Sequence, residues 1–353
     1  MKKRGGKSGR ASPALPAKTL DGSLSLSSLL TGARTAGALA GFVTQVVLAR
    51  TLQAHALGVF FSVTSLAAVI GLICAHGYPA IAARFVSRYR EQGKEHLVGA
   101  FVGESFHVAA ISVVIATLAV LGGAVLWPSV ALDARLALAA AALSIPAHAY
   151  LRLNGYFAAA IRRFALSYLP DTSIRPFLLL GGVLLLIACG LTLTASLVAW
   201  LLTAILTALA LIQYALLRKD LPNDRMAAPA RLTKLWRREA NPLILVALFT
   251  NYFADVDILI VTPLLTSAET AALGLCLKLS LLVGFAVQVA HQTISPMLAR
   301  ARTKGRSAIR CCAPSLFRSP LPPLPWRSWR FGGKTCSLSS APSSPAQRPP
   351  SSS

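Results

Sequence analysis

Acidic residues are scarce in this chain: 12 of 353 residues are Asp or Glu, against 35 Lys or Arg, and only 13% of the sequence is charged at all. So few charges beside 55% hydrophobic residues exclude an ordinary water-soluble globule, whose core has no room for that much apolar sequence. The shortage of carboxylates also argues against a membrane-embedded glycosyltransferase or polymerase, because the connections on one side are short and nearly free of catalytic acids. No nucleotide-binding glycine loop, metal-ligand cluster or nucleophile constellation is present either. The six cysteines show no metal-ligand spacing. Cys74, Cys189 and Cys276 fall inside apolar runs and Cys311, Cys312 and Cys336 in the C-terminal tail, so free thiols are expected.

What the chain has instead is long apolar runs, a mean hydropathy of +0.61 and a net charge of +23. A nucleic-acid binder gathers its basic residues on a polar domain; here they sit in short connections between apolar runs, which argues for contact with a bilayer and against contact with nucleic acid. A helix needs roughly 20 apolar residues to cross a bilayer. On that rule about eight spans are expected: Leu26–Ala49, Ala56–Tyr78, Leu97–Trp127, Arg135–Leu151, Ile174–Leu193, Ala195–Leu217, Pro242–Leu265 and Ala271–Ala299. The fold class is therefore an all-α, polytopic transmembrane helix bundle.

With the N-terminus in the cytoplasm, every second connection is cytoplasmic, and those connections hold the cations. They are Arg84, Arg88, Arg90 and Lys94; then Arg152, Arg162, Arg163 and Arg175; then Arg218, Lys219, Arg225, Arg231, Lys234, Arg237 and Arg238. The opposite connections hold only Arg50 and Arg135, an asymmetry that sets the expected orientation. Met1–Ser23 lacks a small-residue cleavage site and reads as a cytoplasmic tail before a retained first helix. Between Arg152 and Asp171, Tyr156, Phe157, Ile161, Phe164 and Leu166 interleave with Asn154, Arg162 and Arg163 at helical spacing, predicting an amphipathic helix on the cytoplasmic face.

The second and eighth spans repeat a motif. Ala56-Leu57-Gly58 opens one and Ala272-Leu273-Gly274 the other, and Pro79 and Pro296 close them. A same-direction repeat six spans apart predicts two parallel six-helix halves. After about Arg306 the sequence turns Ser/Pro-rich without an apolar run, which predicts disorder and the loss of an original reading frame near that point. The expected organisation is a cytoplasmic basic tail (1–25), a first six-helix bundle (26–217), a basic cytoplasmic linker (218–240), two spans of a second bundle (241–302) and a disordered tail (303–353).

Gly32-Ala33-Arg34 through Val47-Leu48-Ala49-Arg50, then Leu57-Gly58-Val59-Phe60 and Gly77-Tyr78-Pro79, resemble the opening of polysaccharide-biosynthesis proteins. Tyr252-Phe253-Ala254-Asp255-Val256-Asp257 and the stretch from Glu269 to Gly274 agree. These proteins are lipid-linked oligosaccharide flippases of the multidrug/oligosaccharidyl-lipid/polysaccharide exporter superfamily. The resemblance implies two six-helix bundles about a central cavity, a bacterial inner-membrane location and a polyprenyl-diphosphate-linked oligosaccharide as cargo. It also implies partners among other polysaccharide-assembly membrane proteins and no bond chemistry.

Charges inside a span are costly, about 2.5–3.5 kcal/mol each on insertion scales, so each needs a partner or a wet cavity. Arg34 lies about 12 Å into the first span, followed on one face by Gly41 and Gln45. It is placed to meet a substrate diphosphate, or to pair with Glu104 at similar depth in the third span. Asn251 and Asp255 are one turn apart in the seventh span, Asp257 is nearer its outer end, and Lys278 enters the eighth to comparable depth. Asp255 either binds a coupling proton or Na⁺ or forms a structural pair with Lys278. His107 and His148 read first as packing residues and second as a proton relay. No cofactor is expected beyond a coupling ion. The remaining functional alternatives are a cation-coupled drug or metabolite exporter and an inactive truncated flippase.

Overall fold

The computed structural model describes residues 17–126, 131–222, 229–280 and 283–284, all within the unit Met1–Ser295. The side chains of residues 17–28 and of Asn251 lie outside that description, as do most of the basic N-terminal tail, the end of the eighth expected span with Pro296, and the whole C-terminal tail.

Every regular element among the described residues is helical. The first helix, α1, is Ala17–Thr51; α2 is Ala54–Cys74, α3 Tyr78–Glu91, α4 Glu95–Leu126 and α5 Leu132–Ala160. Then come α6 (Phe164–Leu169), a π-helical turn over Pro170–Ile174, α7 (Arg175–Ala188) and α8 (Ala195–Arg218). The last are α9 (Ala230–Ala240), α10 (Pro242–Asn251), α11 (Phe253–Val261) and α12 (267–280). Five stretches are long and apolar enough to cross a membrane: Ala54–Glu91, Glu95–Leu126, Leu132–Ala160, Phe164–Ala188 and Ala195–Arg218. The bent pair Ala230–Thr250 and Phe253–Val261 makes a sixth if it counts as one span. Of the eight expected runs, the first is a helix that carries Arg34 and Gln45 and is not among these, and the eighth is described only to 280.

The basic connections are largely helical, and one expectation about them is corrected. The cations after Tyr78 sit on a helix: Gly77, with φ +68, makes the turn between α2 and α3, Pro79 presets the first helical turn, and Arg84, Arg88 and Arg90 lie on the amphipathic helix α3. Arg152–Asp171 is not one surface helix. Its first half prolongs α5 to Ala160, and after a turn through Ile161–Arg163 its second half opens the next span at Phe164. Within 218–240, residues 230–240 form α9, which runs on into α10.

Pro146 does not break α5. Its missing N–H frees the carbonyl of Ala142, and the Thr117 hydroxyl of α4 donates to that oxygen at 3.4 Å. Small side chains let α5 lie close to α8: Ala137, Ala140 and Ala142 are fully buried, and Thr203 Oγ1 of α8 donates to Ala140 O at 2.9 Å. Lower on the same pair, Asn154 Nδ2 donates to Ala210 O at 3.2 Å. Backbones that approach this closely gain dispersion contacts in a medium where apolar burial alone gives helices no reason to associate. The outward faces are apolar: Ile115 and Leu118 of α4 and Leu185 of α7 are more than 60% exposed.

One apolar cluster gathers Leu48, Leu57, Phe60, Ile145, Val198 and Ala271, from the end of α1, the starts of α2 and α8, the middle of α5, and α12. A second, aromatic one gathers Tyr78, Phe85, Tyr89, Phe101, Phe157 and Trp236, where α2, α5 and α8 end and α3 and α9 lie. The two repeated Ala-Leu-Gly segments meet in space. Gly58 of α2 abuts the backbone of Ser267, and a Cβ on Gly274 of α12 would stand 2.5 Å from the Phe61 ring.

Candidate functional site

Polar groups converge where α2, α5, α7, α11 and α12 face one another. On α11, Asp255 Oδ1 accepts a hydrogen bond from Ser65 Oγ of α2 at 2.8 Å and lies 3.5 Å from Lys278 Nζ of α12. The structural pair weighed for Asp255 is thus formed, and a hydroxyl supports it. His148 of α5 is within electrostatic reach of Asp255, Asp171 and Arg175, and its Nε2 is buried without a hydrogen-bond partner. Asp171, in the π-turn, pairs with Arg175 at 2.8 Å.

The chain breaks at Tyr252, and the helices on either side are bent by 78°. That break turns the Tyr252 ring toward α5, where the Arg152 guanidinium lies 5.3 Å from its centroid and 5.4 Å from that of Tyr156. Two aromatic faces stabilise a guanidinium by cation–π attraction without neutralising it. Among the described residues Arg152 forms no ion pair. Beside it opens a cavity of about 150 Å³, lined by Pro79, Arg152, Tyr156, Ile244, Ala247 and Thr250.

Arg34 does not pair with Glu104. Its guanidinium lies 5.5 Å from the Tyr168 ring of α6, and its Nε is buried without a partner. The wide π-turn brings α6 and α7 onto this part of α1, and Ser173 Oγ donates to Ala33 O at 2.9 Å. Glu104 of α4 is taken by Arg237 of α9, whose Nη2 and Nε reach Oε1 at 2.6 and 3.0 Å. The two residues lie 133 positions apart, and that distance hid the pairing from sequence reasoning. Gln45 has a buried Oε1 without a hydrogen-bond partner. Asp257 is half-buried and forms no ion pair among the described residues, and the Asn251 side chain lies outside the description.

Sequence reasoning assigned Arg152 and Arg175 to a basic connection and set His148 aside as packing. A signal was there: His148, Arg152 and Tyr156 recur every four residues, one polar stripe on a helix that continues past the expected end of its span.

Among the described residues no group of three His, Cys, Asp or Glu side chains is placed to hold a metal ion. Guanidinium groups without an ion pair among the described residues and a carboxylate–lysine pair, set inside a bundle of long apolar helices, define a multi-pass membrane protein with a polar interior. A family model for polysaccharide biosynthesis proteins matches residues 25–301, most of the chain, and the protein belongs to that family. It is the family of lipid-linked oligosaccharide flippases among the multidrug/oligosaccharidyl-lipid/polysaccharide exporters, a class of transporters, and it gives the chain a role in polysaccharide biosynthesis. No curated protein and no solved structure matches the chain.

Proposed function

We propose that this protein flips a polyprenyl-diphosphate-linked oligosaccharide across the bacterial inner membrane for O-antigen, capsule or exopolysaccharide assembly. The observation that carries this reading is the pair of intramembrane arginines, Arg34 and Arg152, each held against aromatic rings and neither matched by a carboxylate among the described residues. A diphosphate supplies the missing charge and accepts the forked hydrogen bonds that a guanidinium donates. In this reading Gln45 and Asp257 line the path of the sugars, and the Asp255–Lys278 pair either opens to a coupling proton or Na⁺ or stays a structural strut.

Expression in a bacterium that lacks its own flippase tests it. The unaltered protein restores surface polysaccharide, Arg152→Ala and Arg34→Ala lower export by about tenfold or more, and Arg152→Lys keeps part of it because the charge remains. Full export by both alanine variants, at equal membrane levels, would falsify the assignment.

A further inference from the structure

Residues 230–250 run as one helix through α9 and α10, so positions about 100° apart per residue can be followed along a common surface. One face of α9 is clamped to the first six-helix segment. Trp236 is fully buried with its ring 5.1 Å from that of Phe101, and its Nε1 donates to Tyr89 OH at 3.0 Å. Arg237 holds Glu104 and Glu239 holds Arg84, which uses up those charges.

The other face has no such partners. Arg231, Lys234 and Arg238, spaced by three and four residues, are exposed and form no ion pair among the described residues. No acidic residue falls between them on that stripe. Continued down the same helix, the stripe passes to Leu245 and Phe249, 62% and 59% exposed. The step from Arg238 to Leu245 is about 10 Å at 1.5 Å per residue. A solvated face would carry charges of both signs and end in water. This one carries a single sign and ends, within half a bilayer leaflet, in side chains that belong in hydrocarbon.

We propose that Arg231, Lys234 and Arg238 form a binding surface for anionic phospholipid headgroups, held at headgroup depth by Leu245 and Phe249 below them. A soluble anion gains from the three cations but nothing from the apolar part of the stripe, whereas a phospholipid uses both. Lipid on the outer face also favours the clamped position of α9, because the same helix carries Trp236 and Arg237 on its inner face. The inference needs only that the chain spans a membrane, and it holds whatever the cargo is.

Native mass spectrometry of the full-length protein, released from membranes and offered equal phosphatidylglycerol and phosphatidylethanolamine, decides the matter. The unaltered protein should retain phosphatidylglycerol in clear preference, Arg231→Gln/Lys234→Gln/Arg238→Gln should lose that preference by about fivefold or more, and Arg231→Lys/Arg238→Lys should keep it. Excess soluble glycerol phosphate should displace none of the retained lipid. Equal retention of the two lipids, a triple glutamine variant as selective as the unaltered protein, or displacement by glycerol phosphate would each overturn the proposal. Should the triple variant fail to insert, Lys234→Gln alone decides, with a partial loss of preference expected and no loss contrary.

Discussion

Gly58 and Gly274 show how a single methyl group limits this packing. Gly58 meets the Ser267 backbone, which cannot swing aside, whereas Gly274 meets the Phe61 ring, which can turn. Gly58→Ala is expected to cost about 1–3 kcal/mol and to lower the midpoint of thermal unfolding in detergent, with Gly274→Ala costing less. A methyl group added at Gly103 of α4 would meet nothing within 4 Å, so Gly103→Ala should leave the midpoint unchanged or raise it slightly. The Glu269 carboxylate caps the turn before α12, accepting from Thr266 N at 2.9 Å and Thr266 Oγ1 at 2.8 Å. Those bonds, the backbone one first, hold its pKa below the ordinary glutamate range. The stabilisation is therefore complete above that range and lost as pH falls below it through the depressed value. Protection of the amides at 266–270, taken relative to their intrinsic exchange rates at each pH, should fall across that acid window, and Glu269→Gln should remove that fall.

At the level of elements, α9 is tied down by packing more than by charge. Trp236 is surrounded by aromatic rings, while the Arg237 side chain is 54% exposed and solvent screens its pairing with Glu104. Trp236→Ala should cost about 3–5 kcal/mol and abolish exchange protection across 230–240. Glu104→Gln should cost about 1 kcal/mol and accelerate exchange there only severalfold. Equal effects from the two substitutions would show that the ion pair, and not the aromatic socket, holds the helix. The break at Tyr252 is harder to read from the chain. Neither Pro nor Gly stands at it, and nothing in the local residues announces the bend that brings Tyr252 over Arg152.

For the whole molecule, the testable quantity is orientation. With all six cysteines replaced by serine, a cysteine at Lys94, between α3 and α4, should react with a membrane-impermeant maleimide only after the cells are opened. One at Thr192, between α7 and α8, should react in intact cells. The reverse pattern would invert the topology expected from the positions of Arg and Lys. The asymmetry is a sequence property in the full sense, because insertion reads the charges flanking each apolar run before any helix has a neighbour.

Most of the fold was legible for the same reason. Bilayer thickness dictates the length of an apolar run, so α2, α4 and α8 follow from run lengths alone within a few residues at each end, whereas α5 runs nine residues past its expected end and the 164–188 helix begins ten residues before its expected start. The repeat of Ala-Leu-Gly marked two helices without showing that their glycines share one crossing. The site was less legible. Asp255 and Lys278 stood out as charges inside apolar runs, and Arg34 likewise, but Glu104 was given the wrong partner and Arg152 the wrong surroundings. Hydropathy and periodicity say how deep a side chain sits and which face it occupies. Which side chain stands opposite depends on how helices more than a hundred residues apart are packed, and that is decided by contacts such as Trp236 against Phe101 and Ser173 against Ala33. Amino-acid order therefore decides that this chain enters a membrane and where most of its apolar helices lie, while only the packed bundle decides which of its charges are spent on one another.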